Sequence, residues 1–391
     1  MNFRLENEAL VIELAGTVDS ANAPEVEREI QNIVKDHPME TVILDFGELQ
    51  YISSAGLRII LRLRKEVKDT RITNVSPDVY EILEMTGFTD MMQVQKAYRV
   101  ISVEGCEVIG QGANGRVYRI DRDTIVKVYL NPDALPEIQR ERELARTAFV
   151  LGVPTAIPYD VVRIEGGGFG SVFELLNATS YAKLLIRGER SAEELAKMSV
   201  DLLKIIHGTT VKPGSMPDMR AVALDWASFL KDYLPEDQFE KLYQLVEAVP
   251  EDMHMMHGDY HIKNIMLQNG ESLLIDMDTL CHGHPIFELA SMYNAYVGFS
   301  AVDHNAVVDF LGISWETATA FWRRSLELYL GTEDEEHIRE VEDKARIVGH
   351  MRLLRRYIRR NGLNTDEGRA MIGKCRSVLA ELLPKVESLT F

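Results

Sequence analysis

Cysteine is scarce in this chain of 391 residues, where Cys106, Cys281 and Cys375 stand far apart. The sequence contains no CxxC pair, and three cysteines cannot all pair within one chain. Structural disulfides are also typical of oxidising compartments. We therefore expect free thiols and a reducing environment.

Basic residues are outnumbered, with 43 Lys and Arg against 61 Asp and Glu and a formal net charge of −18. Nucleic acids and anionic membrane surfaces are bound through clustered cations, so both are disfavoured as partners. No apolar run approaches the length of about 18 residues that a membrane helix needs. Four charged side chains among the first 15 residues disfavour a secretory signal. These features predict a cytoplasmic protein that binds neither nucleic acid nor membrane.

Residues 1–100 alternate between strand-like and helical patterns. Ala9–Ala15 and Thr41–Phe46 are short apolar runs, whereas Ala21–Lys35 and Leu57–Val67 have apolar residues at helical spacing. Strands that alternate with helices predict an α/β domain in which helices cover a sheet.

Residues 101–391 differ in character. Short strand patterns dominate up to about residue 176, with one helix predicted at Pro136–Leu151, and long helical patterns follow from Ser191. No Gly/Ser-rich linker separates this part from residues 1–100. We therefore place a tight domain boundary near residue 100.

A glycine-rich segment opens the second part, where Gly110, Gly112, Gly115 and Val117 form the pattern GxGxxGxV. Glycines let a backbone fold closely over phosphates, although an ordinary hairpin uses them too. The segment lies between two predicted strands rather than between a strand and a helix. That position disfavours a dinucleotide-binding fold.

Lys127 lies in the middle of the next apolar strand. An unpaired buried ammonium is costly, so this lysine needs an anionic partner unless the strand lies on the surface. The α- and β-phosphates of a nucleotide would serve. Glu141 and Glu143, on the following predicted helix, are further candidates.

The segment His257–Asn264 has the sequence HGDYHIKN, and Asp276 follows after a short predicted hairpin. Phosphoryl transfer requires a carboxylate beside the attacking hydroxyl and oxygen ligands that hold Mg²⁺ across the nucleotide phosphates. Asp259 fits the first role, and Asn264 and Asp276 fit the second. The HxDxxxxN spacing is a specific signal when it follows a glycine loop and a strand lysine in this order.

On these motifs, residues 104–391 resemble the aminoglycoside phosphotransferase and choline kinase superfamily, which shares the protein-kinase fold. The resemblance implies an α+β bilobal domain at 101–391. Its β-rich N-lobe would span 101–176 and its helical C-lobe 177–391. It also implies ATP and Mg²⁺ as cofactors.

In the C-lobe, the resemblance makes Asp259 the catalytic residue and Asn264 and Asp276 the Mg²⁺ ligands. Many relatives have aspartate, with a structural role, in place of Glu288. Only about a dozen residues separate Asp276 from the helix of Glu288. This distance leaves no room for a long activation loop, which favours a small-molecule kinase over a protein kinase.

In the N-lobe, the resemblance implies that the glycine loop covers the nucleotide phosphates and that Lys127 anchors them. Glu143 is preferred to Glu141 as the helix partner of this lysine. Glu174 and Leu176 lie in a segment that resembles the hinge between lobes, whose backbone would hold the adenine.

Ser53 and Ser54 precede the second predicted helix of residues 1–100. A serine there is first of all a helix N-cap. A helix N-terminus also stabilises a phosphate, and a phosphoserine can disrupt a partner surface. Leu44–Leu57 and Val75–Phe88 resemble the STAS domain of anti-sigma factor antagonists. The resemblance implies a protein partner and a phosphorylatable serine at Ser54, or at Ser53 in another register.

The sequence therefore predicts an ATP- and Mg²⁺-dependent phosphotransferase that acts on a hydroxyl of a small molecule, fused to a STAS-like protein-binding module. The alternative is a regulatory protein in an anti-sigma-antagonist type of switch. Its kinase domain would phosphorylate the STAS serine or a partner, or only sense nucleotide. A basic helical stripe fits either a solvated face with ion pairs or a phosphate or substrate contact. The stripe consists of Arg352, Arg355, Arg356, Arg359 and Arg360.

Overall fold

The computed structural model describes residues 1–6, 8–112 and 115–391. The chain divides into two units, Met1–Ser102 and Val103–Phe391, each with its own internal contacts.

The first unit alternates strands with helices, as its patterns predict. Its elements are β1 (Asn2–Glu6), β2 (Ala9–Val18), α1 (Ala23–Asp36), β3 (Thr41–Ile52), α2 (Ser54–Glu66), β4 (Asp69–Val75), α3 (Pro77–Met85), α4 (Phe88–Met91), β5 (Val94–Lys96) and β6 (Val100–Ile101).

One sheet with the strand order β1-β2-β3-β4-β5 forms the centre of this unit. β1 is antiparallel to β2, and the other neighbouring strands run parallel. Leu10, Leu44 and Ile72 on successive strands are fully buried, because helices cover the sheet. The predicted α/β fold of residues 1–100 is confirmed.

The second unit begins with a β-rich lobe, in agreement with the strand patterns. Its elements are β7 (Glu107–Gln111), β8 (Gly115–Arg119), β9 (Thr124–Tyr129), α5 (Leu135–Val150), β10 (Pro158–Ile164) and β11 (Phe169–Glu174). The strands pair antiparallel in the order β10-β11-β9-β8-β7. The apolar face of α5, which includes Ile138, Ala145 and Ala148, is buried.

The remainder of the second unit is mainly helical. Its elements are β12 (Thr179–Ser180), α6 (Tyr181–Ile186), α7 (Ala192–His207), α8 (Met219–Phe229), α9 (Glu236–Glu247), β13 (Met255–Met256), β14 (Ile265–Gln268), β15 (Glu271–Leu274), β16 (Cys281–His282), α10 (Ile286–Tyr296), α11 (Asn305–Leu311), α12 (Trp315–Leu330), α13 (Glu335–Arg359) and α14 (Asp366–Leu382).

Helix α10 lies at the centre of this lobe, since all of its residues are buried. The long helix α13 packs beside it, and the Asn294 side chain of α10 donates a hydrogen bond to the Gly349 carbonyl of α13 at 3.0 Å. The loop between β13 and β14 and the segment between β15 and β16 meet near the start of α10. The β-rich lobe followed by a mainly helical lobe confirms the predicted kinase-like fold class.

Candidate active site

The loop that connects β13 to β14 contains the HGDYHIKN segment. Gly258 has a φ of 81°, and a Cβ there would lie 2.4 Å from the Thr279 carbonyl oxygen, so only glycine fits. The Thr279 hydroxyl donates to the His257 carbonyl at 2.8 Å. The loop is therefore fixed against the segment that carries Asp276.

Glu288, in the first turn of α10, anchors this loop through its backbone N–H groups. Its carboxylate accepts hydrogen bonds from the backbone N–H groups of His257 at 2.5 Å and Gly258 at 3.0 Å. Burial raises the pKa of Glu288, but the interactions with His207 and His257 and the Gly258 N–H outweigh burial and lower it. Glu288 thus fills a structural role as an ionised loop anchor.

Asp259 follows in the loop and keeps 43% of its side-chain surface open. Burial raises its pKa, yet the hydrogen bond and charge of His261 and the charges of His257 and Arg352 lower the pKa to about 2. Asp259 is therefore a carboxylate throughout the physiological range.

Asn264 ends the loop beside Asp259. Its side-chain nitrogen donates to the backbone carbonyl of Asp259 at 3.0 Å. The backbone carbonyl of Asn264 accepts from the Ile275 N–H at 3.0 Å. Among residues 1–6, 8–112 and 115–391 no donor to the side-chain oxygen of Asn264 is found, so this oxygen is available to another ligand. Asn264 thus contacts both Asp259 and the residue that precedes Asp276.

Asp276 adopts left-handed backbone angles, φ 63° and ψ 63°. Such angles are costly for a residue other than glycine and are common at functional sites. The Asp276 carboxylate accepts from Lys127 Nζ at 2.9 Å. A residue of β9 and a residue that follows β15 are thereby joined.

Lys127 also donates to Glu141 Oε1 at 2.8 Å. Burial opposes the charge on the ammonium, but the carboxylates of Glu141 and Asp276 outweigh burial and raise the pKa of Lys127. Tyr129 donates from its hydroxyl to the same Glu141 carboxylate.

The preference for Glu143 as the partner of Lys127 is wrong. Glu141 is 4% exposed and faces β9, whereas the Glu143 side chain is 63% exposed and lies 3.9 Å from Arg146. Residues two positions apart in a helix, such as Glu141 and Glu143, are separated by about 200° around the axis. Only one of them can therefore face the strand.

The glycine loop spans the turn between β7 and β8. The Gly112 N–H donates to the Gly115 carbonyl at 3.0 Å. A Cβ on Gly115 would lie 2.4 Å from the Val128 carbonyl oxygen. Ala113 and Asn114, two positions of the GxGxxG pattern, lie outside the described residues.

Two more of the predicted nucleotide residues, Gly110 and Val117, lie in the same sheet. Val117 pairs with Lys127 across β8 and β9. Gly110 and Val117 also pair, across β7 and β8. This register aligns the glycine loop with the lysine.

The predicted hinge segment begins in β11, whose last residue is Glu174, and continues through Leu176. The Glu174 N–H donates to the Ile157 carbonyl at 3.0 Å, and the Leu175 N–H donates to the Asp123 carbonyl at 2.8 Å. Leu176 is partly buried at the end of the β-rich lobe. The backbone here is held in place up to Leu175.

In the first unit, the two serines differ in their surroundings. Ser53 is the N-cap of α2, and its hydroxyl accepts from the Ala55 N–H at 3.2 Å. Ser54, the first residue of the helix, is exposed.

Residues 105–321, more than half of the chain, match the phosphotransferase enzyme family. The chain belongs to this family. The predicted resemblance is confirmed, and the protein is a phosphotransferase.

Residues 1–101 match the STAS domain, which confirms the second predicted resemblance. A candidate anti-sigma factor antagonist of Bordetella bronchiseptica, BtrV, is 38% identical over 89 residues, which cover 22% of this chain and 76% of that protein. An anti-sigma F factor antagonist of Paenibacillus polymyxa is 26% identical over 102 residues, 24% of this chain and 87% of that protein.

Solved structures with a similar fold include aminoglycoside phosphotransferase APH(4)-Ia, at 14% identity and a TM-score of 0.48, over 71% of this chain and 94% of that one. A choline/ethanolamine kinase family protein from Mesorhizobium loti has 14% identity and a TM-score of 0.46, over 72% and 88%. The amicoumacin kinase hAmiN in complex with AMP-PNP, Ca²⁺ and Ami has 16% identity and a TM-score of 0.48, over 80% and 95%.

The phosphotransferase site contains residues that sequence reasoning did not select. His261 Nε2 lies 3.5 Å from the Asp259 carboxylate. Desolvation and the nearby Asp276 carboxylate raise the pKa of Asp278 to about 7 despite Lys127. The sequence Ile275–Asp278 contains a second aspartate two positions after Asp276, and this spacing could have identified Asp278 as a further site residue.

No helix among residues 1–6, 8–112 and 115–391 is long and apolar enough to cross a membrane.

Proposed function

We propose that this phosphotransferase moves the γ-phosphoryl group of ATP to a hydroxyl of a small molecule in a Mg²⁺-dependent reaction. The observation that carries the proposal is one connected constellation. Lys127 contacts Asp276, and Asn264 contacts both Asp259 and the backbone beside Asp276. These are the groups that phosphoryl transfer needs for nucleotide anchoring, metal binding and acceptor orientation.

The donor set fits a magnesium ion. Asn264 and Asp276 offer one amide oxygen and a carboxylate, and the described residues contain no cluster of three His, Cys, Asp or Glu that could hold a metal without the nucleotide. Mg²⁺ typically takes few protein ligands and completes its shell with phosphates and water. Held by Asn264 and Asp276, Mg²⁺ would neutralise charge on the nucleotide phosphates.

Asp259 acts on the acceptor. As an ionised and partly open carboxylate, it accepts a hydrogen bond from the acceptor hydroxyl and orients that oxygen toward phosphorus. The new oxygen–phosphorus bond forms as the bond from the γ-phosphorus to the ADP oxygen breaks, and the hydroxyl proton passes to Asp259 and then to solvent. A carboxylate with a pKa of about 2 is a weak base, so this proton moves late in the reaction.

Lys127, Glu141 and the hinge support nucleotide binding. Glu141 holds the ammonium in position, and Lys127 can exchange its contact with Asp276 for nucleotide phosphates. Among the described residues, no acceptor is found for the Leu176 N–H. This group could therefore donate to a purine base, next to the backbone fixed at Glu174 and Leu175.

Nucleotide binding is tested by calorimetry and by thermal unfolding with ATP in the presence of Mg²⁺ or EDTA. We expect the unfolding temperature to rise with ATP and Mg²⁺, and the Lys127→Met variant to bind ATP at least about tenfold more weakly, since a charged contact is lost. Lys241→Met is the matched control, because Lys241 pairs with exposed Glu387 at 3.0 Å. Absence of binding by the parent protein would refute the proposal.

A second candidate function is regulatory, and the exposure of Ser54 supports it. Ser53 uses its hydroxyl to cap α2, whereas Ser54 is exposed at the first turn, where a phosphate would be stabilised by the helix N-terminus. The kinase unit would then phosphorylate this serine, or a protein that binds the STAS domain.

Intact-protein mass after incubation with ATP and Mg²⁺ separates the two candidates. A gain of one phosphate that disappears in Ser54→Ala but persists in Ser53→Ala supports the regulatory function. Unchanged mass together with acceptor-dependent ATP consumption supports the small-molecule kinase.

A further inference from the structure

The basic stripe on α13 is poorly neutralised. Arg355 pairs with Asp225 at 3.0 Å. In the described part of the chain, Arg352, Arg356, Arg359 and Arg360 have no ion-pair partner. Uncompensated positive charge is unexpected in a chain with a net charge of −18. The stripe therefore fits the interpretation as a solvated face with ion pairs only in part: Arg355 has its ion pair, and Arg356, Arg359 and Arg360 are exposed to solvent but have no ion pair in the described part of the chain.

Two of these arginines rest on aromatic rings. The guanidinium carbon of Arg352 lies 5.2 Å from the Trp226 ring centre, and that of Arg356 lies 5.2 Å from the Phe299 ring centre. Such packing holds a guanidinium in place and leaves N–H groups at its edge for a carboxylate or phosphate. Arg352 and Arg356 are one helical turn apart and thus share a face.

Arg352 is connected to the loop of Asp259. Its Nη1 donates to the Ser291 hydroxyl at 3.0 Å, and that hydroxyl donates to the Gly258 carbonyl at 2.9 Å. Arg352 uses one of its nitrogens in this contact and retains others. Its charge also contributes to the low pKa of Asp259.

Arg356 is linked to the same loop through a row of aromatic rings. His261, beside Asp259, packs edge-on against Phe310 with ring centres 5.0 Å apart, and Phe310 contacts Phe299 at 6.3 Å. Phe299 in turn lies under Arg356. Burial and the like charges of Arg360 and Arg352 lower the pKa of Arg356, and the charge of Asp259 acts in the opposite direction.

We propose that the acceptor carries an anionic group, a carboxylate or a phosphate monoester, close to the hydroxyl that is phosphorylated, and that Arg352 and Arg356 bind this group. The inference rests on the proposed function, since it places the acceptor at Asp259. An anion at the arginines would neutralise the cluster and orient the hydroxyl. A cationic amine there would be repelled, so this site disfavours cationic acceptors.

The test uses alcohols that differ in charge: glycerol, glycerate, glycerol 3-phosphate and choline. Binding to the full chain with Mg²⁺ and AMP-PNP is measured by calorimetry, and transfer with Mg²⁺ and ATP by product analysis. We expect glycerate or glycerol 3-phosphate to bind more tightly than glycerol and choline, and the comparison of the two anions separates a carboxylate from a phosphate. Arg356→Gln should weaken anion binding about 10- to 100-fold, with Arg356→Lys between the two.

Arg339→Gln is the matched control, because Arg339 is an exposed arginine of the same helix whose side chain donates a hydrogen bond to the Glu335 carbonyl in the first turn of that helix. If Mg²⁺ and AMP-PNP do not bind, the proposed function itself fails. If they bind, the inference is overturned by glycerol or choline that bind as tightly as the anions, by failure of both anions to bind, or by equal anion affinity in Arg356→Gln and Arg339→Gln.

Discussion

A single ammonium, that of Lys127, links the two halves of the candidate site. Glu141 and Asp276 both contact it, at 2.8 and 2.9 Å. Glu141 is almost fully buried, whereas Asp276 is 45% exposed. We infer that Glu141 is the permanent partner of the lysine and that Asp276 is the one that nucleotide and metal can displace.

The first prediction separates the two glutamates of α5. Glu141→Gln should weaken ATP binding about tenfold or more, because Lys127 loses a buried charged partner. Glu143→Gln should bind ATP like the parent, since Glu143 is exposed and its one ion pair within the described residues is with Arg146. Titration calorimetry with ATP and Mg²⁺ measures both, and equal effects of the two substitutions would contradict the assignment.

The second prediction concerns the two aspartates. Asp259→Asn should retain ATP binding and lose about 10²- to 10⁴-fold in turnover, the usual contribution of a positioned acid–base group. Asp276→Asn should weaken binding of the metal–nucleotide pair as well, since a charged ligand is lost. Steady-state rates on an accepted alcohol, with calorimetric affinities beside them, distinguish the two outcomes. Parent-like turnover of Asp259→Asn would refute its role.

At the scale of elements, the catalytic loop depends on the charge of Glu288 at the start of α10. Its pKa is lowered in the folded state, so its contribution to stability is present at neutral pH and is lost as pH falls through the folded pKa. The third prediction is that Glu288→Gln loses about 1–3 kcal/mol of unfolding free energy at pH 7. This difference from the parent should shrink below the ordinary glutamate pKa of about 4.3.

Urea unfolding of both proteins from pH 7 to pH 3.5 measures this difference. His207→Gln serves as a second variant, because His207 lies 3.9 Å from Glu288 and contributes to its low pKa. A constant difference between parent and Glu288→Gln across the pH range would show that Glu288 is not ionised in the fold.

The fourth prediction compares two glycines of the glycine loop, Gly112 and Gly115. Gly115→Ala should destabilise the protein by about 1–3 kcal/mol and weaken ATP binding, because its Cβ would lie 2.4 Å from the Val128 carbonyl oxygen and separate β8 from β9. At Gly112 a Cβ would meet no atom of the described residues within 4 Å, so Gly112→Ala should change stability by less than about 0.5 kcal/mol. Thermal and urea unfolding measure both, and equal losses would contradict the proposed strand clash.

Motifs with fixed spacing were predictable from the sequence. Which side of a helix faces the neighbouring sheet was not. The HGDYHIKN segment and Asp276 lie at one site because a short hairpin returns the chain. The choice between Glu141 and Glu143 depends on which side of α5 faces the sheet, and a weakly amphipathic helix does not fix this. Arg352 reaches Gly258 across 94 positions of sequence, a contact that no local pattern reveals.

The end of the first long strand was also predicted incorrectly from the sequence. The apolar run Ala9–Ala15 predicts a strand that ends before Gly16, but β2 continues through Gly16, which has a φ of 69°, to Val18. The pairing of β2 with β3 shifts register on either side of this residue. A glycine with positive φ can form a bulge within a strand, and sequence alone does not distinguish a bulge from a turn.

At the scale of the whole molecule, two separate cores support the fold. One is built from residues such as Leu10, Leu44 and Ile72 of the first unit. The other is built from the second unit, with Leu203, Tyr296 and Leu353 among its buried members. Since each core is large enough for an ordinary domain, we expect each unit to fold as a domain of its own.

The fifth prediction follows from this organisation. Scanning calorimetry of the full chain should show two unfolding transitions, and ATP with Mg²⁺ should raise only the one that belongs to residues 103–391, because ligand stabilises only the domain that binds it. At 100 times the dissociation constant the gain is about 2.7 kcal/mol. A fragment of residues 1–102 identifies the other transition and should unfold at an unchanged temperature with or without nucleotide. A single transition that shifts as a whole would contradict the prediction and would mean that nucleotide binding in the kinase unit also stabilises the STAS unit.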